Sequence, residues 1–252
     1  MNRLSHFALV CLLAACGASG GKTDAGVIDT SCGFDCAAQK KLGLIPGTCF
    51  EYSKNGMKQT IPDLGVLVLA PSELEGGLKV VELDYLESGQ TKMRDALTLK
   101  NGELFLVRRS YQPGQSVSFR DTANTLSGVK WLTSQTSGGE NYVTTGIADV
   151  VGGAGGRKQD PSTYTTVVVE ASGPELTTPM QTFDAGLTLV QSETGNHAAD
   201  SLRVFVPNVG FVRFSTSFDL AGAGSGGYRL QEVRDMNASD GGTPKTCSLG
   251  GI

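Results

Sequence analysis

A chain of 252 residues with 21 Lys and Arg against 25 Asp and Glu carries a formal charge of −4. Its basic residues are scattered along the chain, which argues against nucleic acid as a partner. Two histidines, His6 and His197, are too few for a multi-histidine metal centre, and no cofactor signature is present. The length suits one substantial core and is short for two, so a single domain is expected.

At the N-terminus, Arg3 precedes an apolar run from Phe7 to Leu13, far below the roughly 20 residues of a spanning helix. A charged start, a short apolar stretch and small residues before a cut site form the pattern of a secretory signal. Leu13-Ala14-Ala15-Cys16 resembles the bacterial lipobox, whose cysteine is acylated and becomes the first mature residue. The resemblance implies a signal peptide over 1–15, a lipid anchor on Cys16 and attachment to a membrane of the bacterial cell envelope. Acyl chains stabilise such attachment by about 0.8 kcal/mol per buried methylene. Gly17 stands where an aspartate would, by analogy with enteric lipoproteins, hold the protein at the inner membrane, so the outer membrane is expected. The alternative is an ordinary signal peptide in which Cys16 is incidental. Residues 16–31 are mostly Gly, Ala, Ser, Asp and Lys, too poor in large apolar groups to offset their ordering entropy, and read as a flexible tether.

Export predicts an oxidising compartment. With Cys11 removed and Cys16 acylated, Cys32, Cys36, Cys49 and Cys247 remain, an even count that reads as disulfides. Four cysteines permit three pairings. Cys32 with Cys36 as a local staple and Cys49 with Cys247 as a long-range tie is the preferred one. A zinc site is the rival, opposed by the exported context and by the lack of a second close cysteine pair.

From 32 to 252 the chain reads as a β-rich domain with a C-terminal tail. Its 34 glycines fall mostly between short runs of β-branched and aromatic residues. A short helix is expected near Ala37 to Leu42. Strands follow at Thr48 to Ser53, Leu64 to Ala70, Leu78 to Leu86, Thr91 to Leu99 and Glu103 to Tyr111, the last three forming a meander with turns at Ser88-Gly89-Gln90 and Asn101-Gly102. Pro113-Gly114 is expected to break it. Weaker strands run over Val117 to Phe119, Val129 to Thr133 and Tyr142 to Val151. After the glycines at 152–156, strands are expected at Thr163 to Ala171, Thr177 to Phe183, Leu187 to Glu193, Ser201 to Val206, Gly210 to Leu220 and Tyr228 to Arg234. No stretch of helical length has clean 3.6-residue spacing, so the expected fold is all-β: a strongly curved antiparallel sheet or incompletely closed barrel, stapled by disulfides. No internal repeat of roughly 20 to 50 residues points to a propeller or solenoid.

The stretch Arg203-Val204-Phe205-Val206-Pro207-Asn208-Val209-Gly210-Phe211-Val212-Arg213-Phe214, with Tyr228-Arg229-Leu230-Gln231-Glu232-Val233 after it, resembles the C-terminal part of half-barrel envelope lipoproteins. Pro207 to Gly210 makes a tight reversal that sets Val204-Phe205-Val206 against Phe211-Val212-Arg213-Phe214. The likeness covers about the last fifth of the mature chain, and some of these proteins carry lipid or acyl chains on a concave face. It therefore implies a hydrophobic ligand as one possible partner.

Chemistry-bearing arrangements are sparse. A Ser-His-Asp hydrolase would have to use His197, with no Gly-x-Ser-x-Gly elbow beside it. The glycines at 152–156 are followed by no Gly-Lys-Ser/Thr and read as a loop. Carboxylates such as Glu82, Asp84, Asp95, Glu193, Asp219, Glu232 and Asp235 are numerous enough for a glycosidase pair, but their separations are not readable from sequence. Arg108, Arg109, Arg203, Arg213, Arg229 and Arg234 lie on expected strands; the first four are the candidates for an anion or headgroup site, and cross-strand bridging to Glu232, Asp235 or Asp95 is the favoured reading. The aromatic residues, among them Tyr85, Trp131, Phe205, Phe211 and Phe214, are read as packing. The expected function is a membrane-anchored envelope lipoprotein with a non-catalytic binding or structural role, with another envelope protein as a possible partner. A carrier of a hydrophobic ligand is the alternative, and a hydrolase a distant third.

Overall fold

Inward and outward side chains alternate along the strands of this chain, and the apolar set is large enough to demand a closed interior. The computed structural model describes residues 35–54, 56–133, 137–152, 156–194, 201–216, 227–235 and 247. Cys16, Cys32, His197, Phe218 and Asp219 lie outside the described residues. Among those described, a six-residue helix α1 (Cys36–Lys41) precedes fourteen strands. The first half comprises β1 (Thr48–Ser53), β2 (Leu64–Val68), β3 (Ser72–Leu74), β4 (Leu78–Glu87), β5 (Gln90–Lys100), β6 (Glu103–Tyr111) and β7 (Gln115–Arg120). The second comprises β8 (Val129–Thr133), β9 (Glu140–Val151), β10 (Arg157–Glu170), β11 (Leu187–Thr194), β12 (Ser201–Val206), β13 (Gly210–Thr216) and β14 (Tyr228–Asp235).

All pairings are antiparallel. The sheet runs β2-β1-β14-β13-β12-β11-β10-β9-β7-β6-β5-β4, and β4 then pairs with β2, closing a twelve-strand barrel. The closing contact is specific: Val66 lies opposite Tyr85 and Val68 opposite Leu83, so inward residues meet inward residues. β3 extends β4 on the outside, and β8 pairs only with β6. The expected all-β, disulfide-stapled antiparallel sheet is therefore present, and its two ends meet.

Turn chemistry explains the hairpins. Ser88 and Gly89 have φ of 49° and 71°, and Asn101 and Gly102 54° and 76°, the paired left-handed residues that a two-residue turn between twisted strands requires. Pro207 to Gly210 reverses the chain as expected, with Asn208 left-handed at φ 63°. Pro113-Gly114, in contrast, does not interrupt the meander. It forms the β6–β7 turn, in which Tyr111 pairs with Gln115, and so adds a fourth strand.

Two further expectations need correction. Thr177 to Phe183 forms no strand, only an isolated bridge between Thr177 and Thr182. Pro179 denies a ladder a donor in its middle, and the segment instead buries Phe183, beside the buried Leu176 that precedes it. β10 begins at Arg157 instead of Thr163, passing through Pro161. Pro161 pairs with Ile147 on one side while β11 pairs only from Thr163 onward, so the proline's missing N–H sits beside an unpaired edge.

A twelve-strand barrel encloses more room than the eight-strand size that wall side chains just fill. Two insertions occupy the surplus. At one end α1, capped by Asp35 accepting from the Ala38 N–H at 3.1 Å, delivers Leu42 and Leu44 into the core. Gly43 passes so close to the β12–β13 turn that a Cβ would lie 2.4 Å from the Val209 carbonyl oxygen, so only glycine fits there. Elsewhere β8 lies against inward side chains: the Thr166 hydroxyl donates to the Lys130 carbonyl at 2.9 Å, and the Lys130 N–H donates to Thr144 Oγ1 at 3.4 Å. Its next residue, Trp131, reaches Phe211 at a centroid distance of 5.9 Å. Edge-to-face contacts of Tyr52 and Tyr85 with Phe214, at 5.1 and 5.9 Å, and the Phe214–Tyr228 stack at 5.0 Å join several strands through the interior. Such pairs add about 0.5–1.5 kcal/mol each beyond area burial.

Cys49 is bonded to Cys247, with Cα atoms 5.6 Å apart, the long-range tie expected from sequence. Cys36 begins α1.

Candidate functional site

The chemistry of the interior centres on Asp95 of β5, which is fully buried. β5 turns Met93, Asp95 and Leu97 inward. Opposite Asp95 stands Arg109 of β6, whose Nε and Nη2 donate to the two carboxylate oxygens at 2.6 and 2.8 Å. The fork-to-fork geometry is the strongest form of this ion pair. A third hydrogen bond comes from the Tyr85 hydroxyl at 3.1 Å. A second guanidinium, Arg203 of β12, approaches from the far wall, with Nη2 3.6 Å from Asp95 Oδ2. Arg203 also donates to Ser201 Oγ at 2.9 Å and lies over the Trp131 ring, 4.3 Å from its centroid.

A bulge decides which arginine enters. The register of β5 against β6 slips between Ala96 and Leu97, where Ala96 pairs with Arg108 and Leu97 with Leu106. Val107 is the extra residue. It packs outside with Val80 and Ala96, and the slip turns Arg109 inward while Arg108 faces out. Arg108 bonds Glu82 at 3.3 Å on the outer wall.

Burial works against the charge on Arg109, but the Asp95 carboxylate outweighs it and holds the guanidinium above its ordinary pKa. Arg203 shows the reverse: burial dominates, and its pKa falls below the usual value. Burial and the nearby Asp95 carboxylate raise the Tyr85 hydroxyl, so it stays a donor at any physiological pH. The three-way cluster thus has one well-paired arginine and one under-paired arginine.

The outer wall has two characters. Across β4, β5 and β6 it carries Arg94 bonded to Asp84 at 3.2 Å and the Arg108–Glu82 pair. Further round, Asp149 accepts from Arg120 at 2.9 Å and from Arg157 at 2.7 Å, and Arg120 also reaches Glu75 at 2.6 Å. Hydrogen bonds from Arg157, against the opposing effect of burial, hold the Asp149 carboxyl below its usual range. On β9 to β11 exposed valines appear among the outward residues. Val143, Val167, Val169 and Val190 are 64%, 36%, 42% and 40% exposed, and Val167 lies directly opposite Val190.

Glu51 of β1 is only 1% exposed, with Arg234 Nη2 3.2 Å from its carboxylate. Burial raises its pKa, and Arg234 only partly offsets this. A carboxyl raised in the folded state holds its proton to higher pH folded than unfolded, so its effect on stability is most favourable at low pH and declines as pH climbs through the folded value. Glu51→Gln should therefore match or exceed the wild-type melting temperature at pH 7, the difference shrinking as pH is lowered. Arg234 retains Glu232 at 3.3 Å. Thermal melts of both proteins across a pH series check this, and a variant markedly less stable at pH 7 would contradict it.

Of the four arginines expected to share an anion or headgroup site, the fold brings together only Arg109 and Arg203. Arg108 faces outward, and Arg213 is half-buried beside Arg229 on β14. The expected bridging to Asp95 and to Glu232 is present, and Arg234 also pairs with Glu51, which the sequence did not single out. The aromatic residues pack the interior, with Trp131, Tyr85, Phe205, Phe211 and Phe214 all in the main core. Among the described residues no group of three or more His, Cys, Asp or Glu side chains is placed to hold a metal ion, and no helix is long and apolar enough to cross a membrane. The chain matches no protein-family model, no curated protein sequence and no solved structure.

Proposed function

We propose that this protein is a lipid-anchored envelope lipoprotein whose barrel is a rigid, non-catalytic binding or structural module. The observation that carries the reading is the filled interior. A carrier needs a cavity of roughly 300–1,000 Å3. Here Trp131, Leu42 and Leu44 just after α1, and the Asp95 cluster occupy that space, leaving among the described residues about 10 Å3 beside Arg203. The Leu13-Ala14-Ala15-Cys16 pattern supports the anchor, and the Cys49–Cys247 bond suits an oxidising compartment. Ion pairs of Arg94, Arg108, Arg120 and Arg157 on the outer wall favour a barrel that stands clear of the bilayer on its tether. An arginine facing the lipid midplane would cost about 2–4 kcal/mol.

The partner-binding face on this reading is the valine sector of β9 to β11, where exposed valines stand among the outward residues. Two measurements test the proposal. Cys16→Ser should move most of the protein out of the envelope fraction, and retention there after a high-salt wash overturns the anchor. A photo-crosslinking residue placed at Val167 or Val190 in native envelopes should give a discrete adduct that the same residue at Arg94 does not. Equal labelling at all three positions would overturn the assignment of the face.

A further inference from the structure

Between the Asp95 cluster and the α1 plug, the packing leaves one small space lined by buried residues, in which the centre of a water-sized species can move through about 10 Å3. That is about the room needed for a single water. The lining is almost wholly alkyl and aromatic, including Leu42, Leu44, Phe50 and Leu83, with Arg203 as its charged member. The two tyrosine hydroxyls of the lining are already engaged. Tyr52 donates to the Phe211 carbonyl at 2.6 Å, and Tyr85 donates to Asp95.

Arg203 is only partly engaged, donating through Nη1 to Ser201 Oγ and interacting with the Tyr85 hydroxyl. Its side chain is 4% exposed, and its Nη2, although 3.6 Å from Asp95 Oδ2, makes no hydrogen bond. Asp95 spends both oxygens on the closer Arg109 fork. Among the described residues the cluster therefore sets two guanidiniums against one carboxylate, all three side chains less than one-tenth exposed. A buried charge without a full counter-charge is costly. A water could satisfy the orphaned donor, but only an anion supplies the missing charge as well. A space of this size excludes sulfate, phosphate and carboxylates.

We propose that the space beside Arg203 binds one small monatomic anion of the halide class, which completes the charge balance of the Asp95 cluster. The placement of Trp131 offers a direct readout. It is the only tryptophan in the chain, is 1% exposed, and has the Arg203 guanidinium 4.3 Å from its ring centroid. Bromide, a heavy-atom quencher, should act on it from the bound site, while burial shields the ring from collisions in bulk.

The experiment titrates the full-length protein with sodium bromide against sodium gluconate at constant ionic strength. Tryptophan fluorescence should fall along a saturating curve, with sodium sulfate giving no such response. Arg203→Met, which keeps the bulk and removes the charge, should abolish the saturating component. A linear, non-saturating response in the wild type, or a saturating one retained in the variant, would overturn the site. Should the variant fail to fold, crystals of the wild type grown in bromide decide the matter. An anomalous peak beside Arg203 supports the site, and density there without anomalous signal means water alone and overturns it.

Discussion

Truncating Asp95 to alanine is expected to destabilise the barrel by about 3–5 kcal/mol, since removing one partner of a buried ion pair leaves the other charge uncompensated. Here two charges are stranded: Arg109 loses both oxygens of its fork, and Arg203 loses its only carboxylate neighbour among the described residues. Neither side chain can swing to water, as both are less than one-tenth exposed. The Tyr85 hydroxyl also loses its acceptor. Urea unfolding followed by circular dichroism measures the loss, and a change below about 1 kcal/mol would refute the picture of Asp95 as the keystone of the interior. A companion variant separates charge from packing. Asp95→Leu combined with Arg109→Met and Arg203→Met removes all three charges and keeps the volume, and it should recover most of the lost stability, because apolar replacements of buried ion clusters are often neutral or stabilising. If the triple variant is as unstable as the single one, shape and not charge is what Asp95 supplies.

The second large effect is expected from Cys49 and Cys247. Their bond closes a loop of 198 residues, for which the chain-entropy model gives about 5 kcal/mol; losses of native disulfides typically measure about 2–5 kcal/mol. Cys49 is fully buried on β1, the strand that joins β2 to β14, next to the β2–β4 contact that closes the barrel. The paired change Cys49→Ser and Cys247→Ser should therefore lower the denaturant midpoint substantially under oxidising conditions, where the wild type keeps the bond. Hydrogen exchange should quicken first on β1 and β14, because their ladder adjoins the lost tie. Equal midpoints for variant and wild type would mean that the bond only decorates a barrel closed by its ladders.

Much of the architecture was legible in the residues. Asn101-Gly102 announced a hairpin because few other pairs accept two left-handed residues in succession, and the alternation in β12 and β13 around Pro207 to Gly210 gave their pairing. The misreadings have local causes. Pro113 looked like an interruption, and the strand through Pro161 was expected to begin only at Thr163, yet a proline is tolerated where its missing donor meets a turn or an unpaired edge. Thr177 to Phe183 had strand composition, but Pro179 removes a ladder donor from its middle.

The interior site was hidden for a different reason. Read as a run, Arg108-Arg109 offers either residue to the core, and only the bulge at Val107 selects Arg109. Its meeting with Arg203, 94 positions later in sequence, depends on closure of the barrel, which in turn rests on β2 pairing with β4. Local residue preferences determine the strands, their turns and which faces are apolar, because those follow from the backbone geometry of a few neighbouring residues. Which charged side chains share the interior was decided by the tertiary structure alone, since a one-residue slip in register exchanges inside for outside and the pairing of distant strands sets that register.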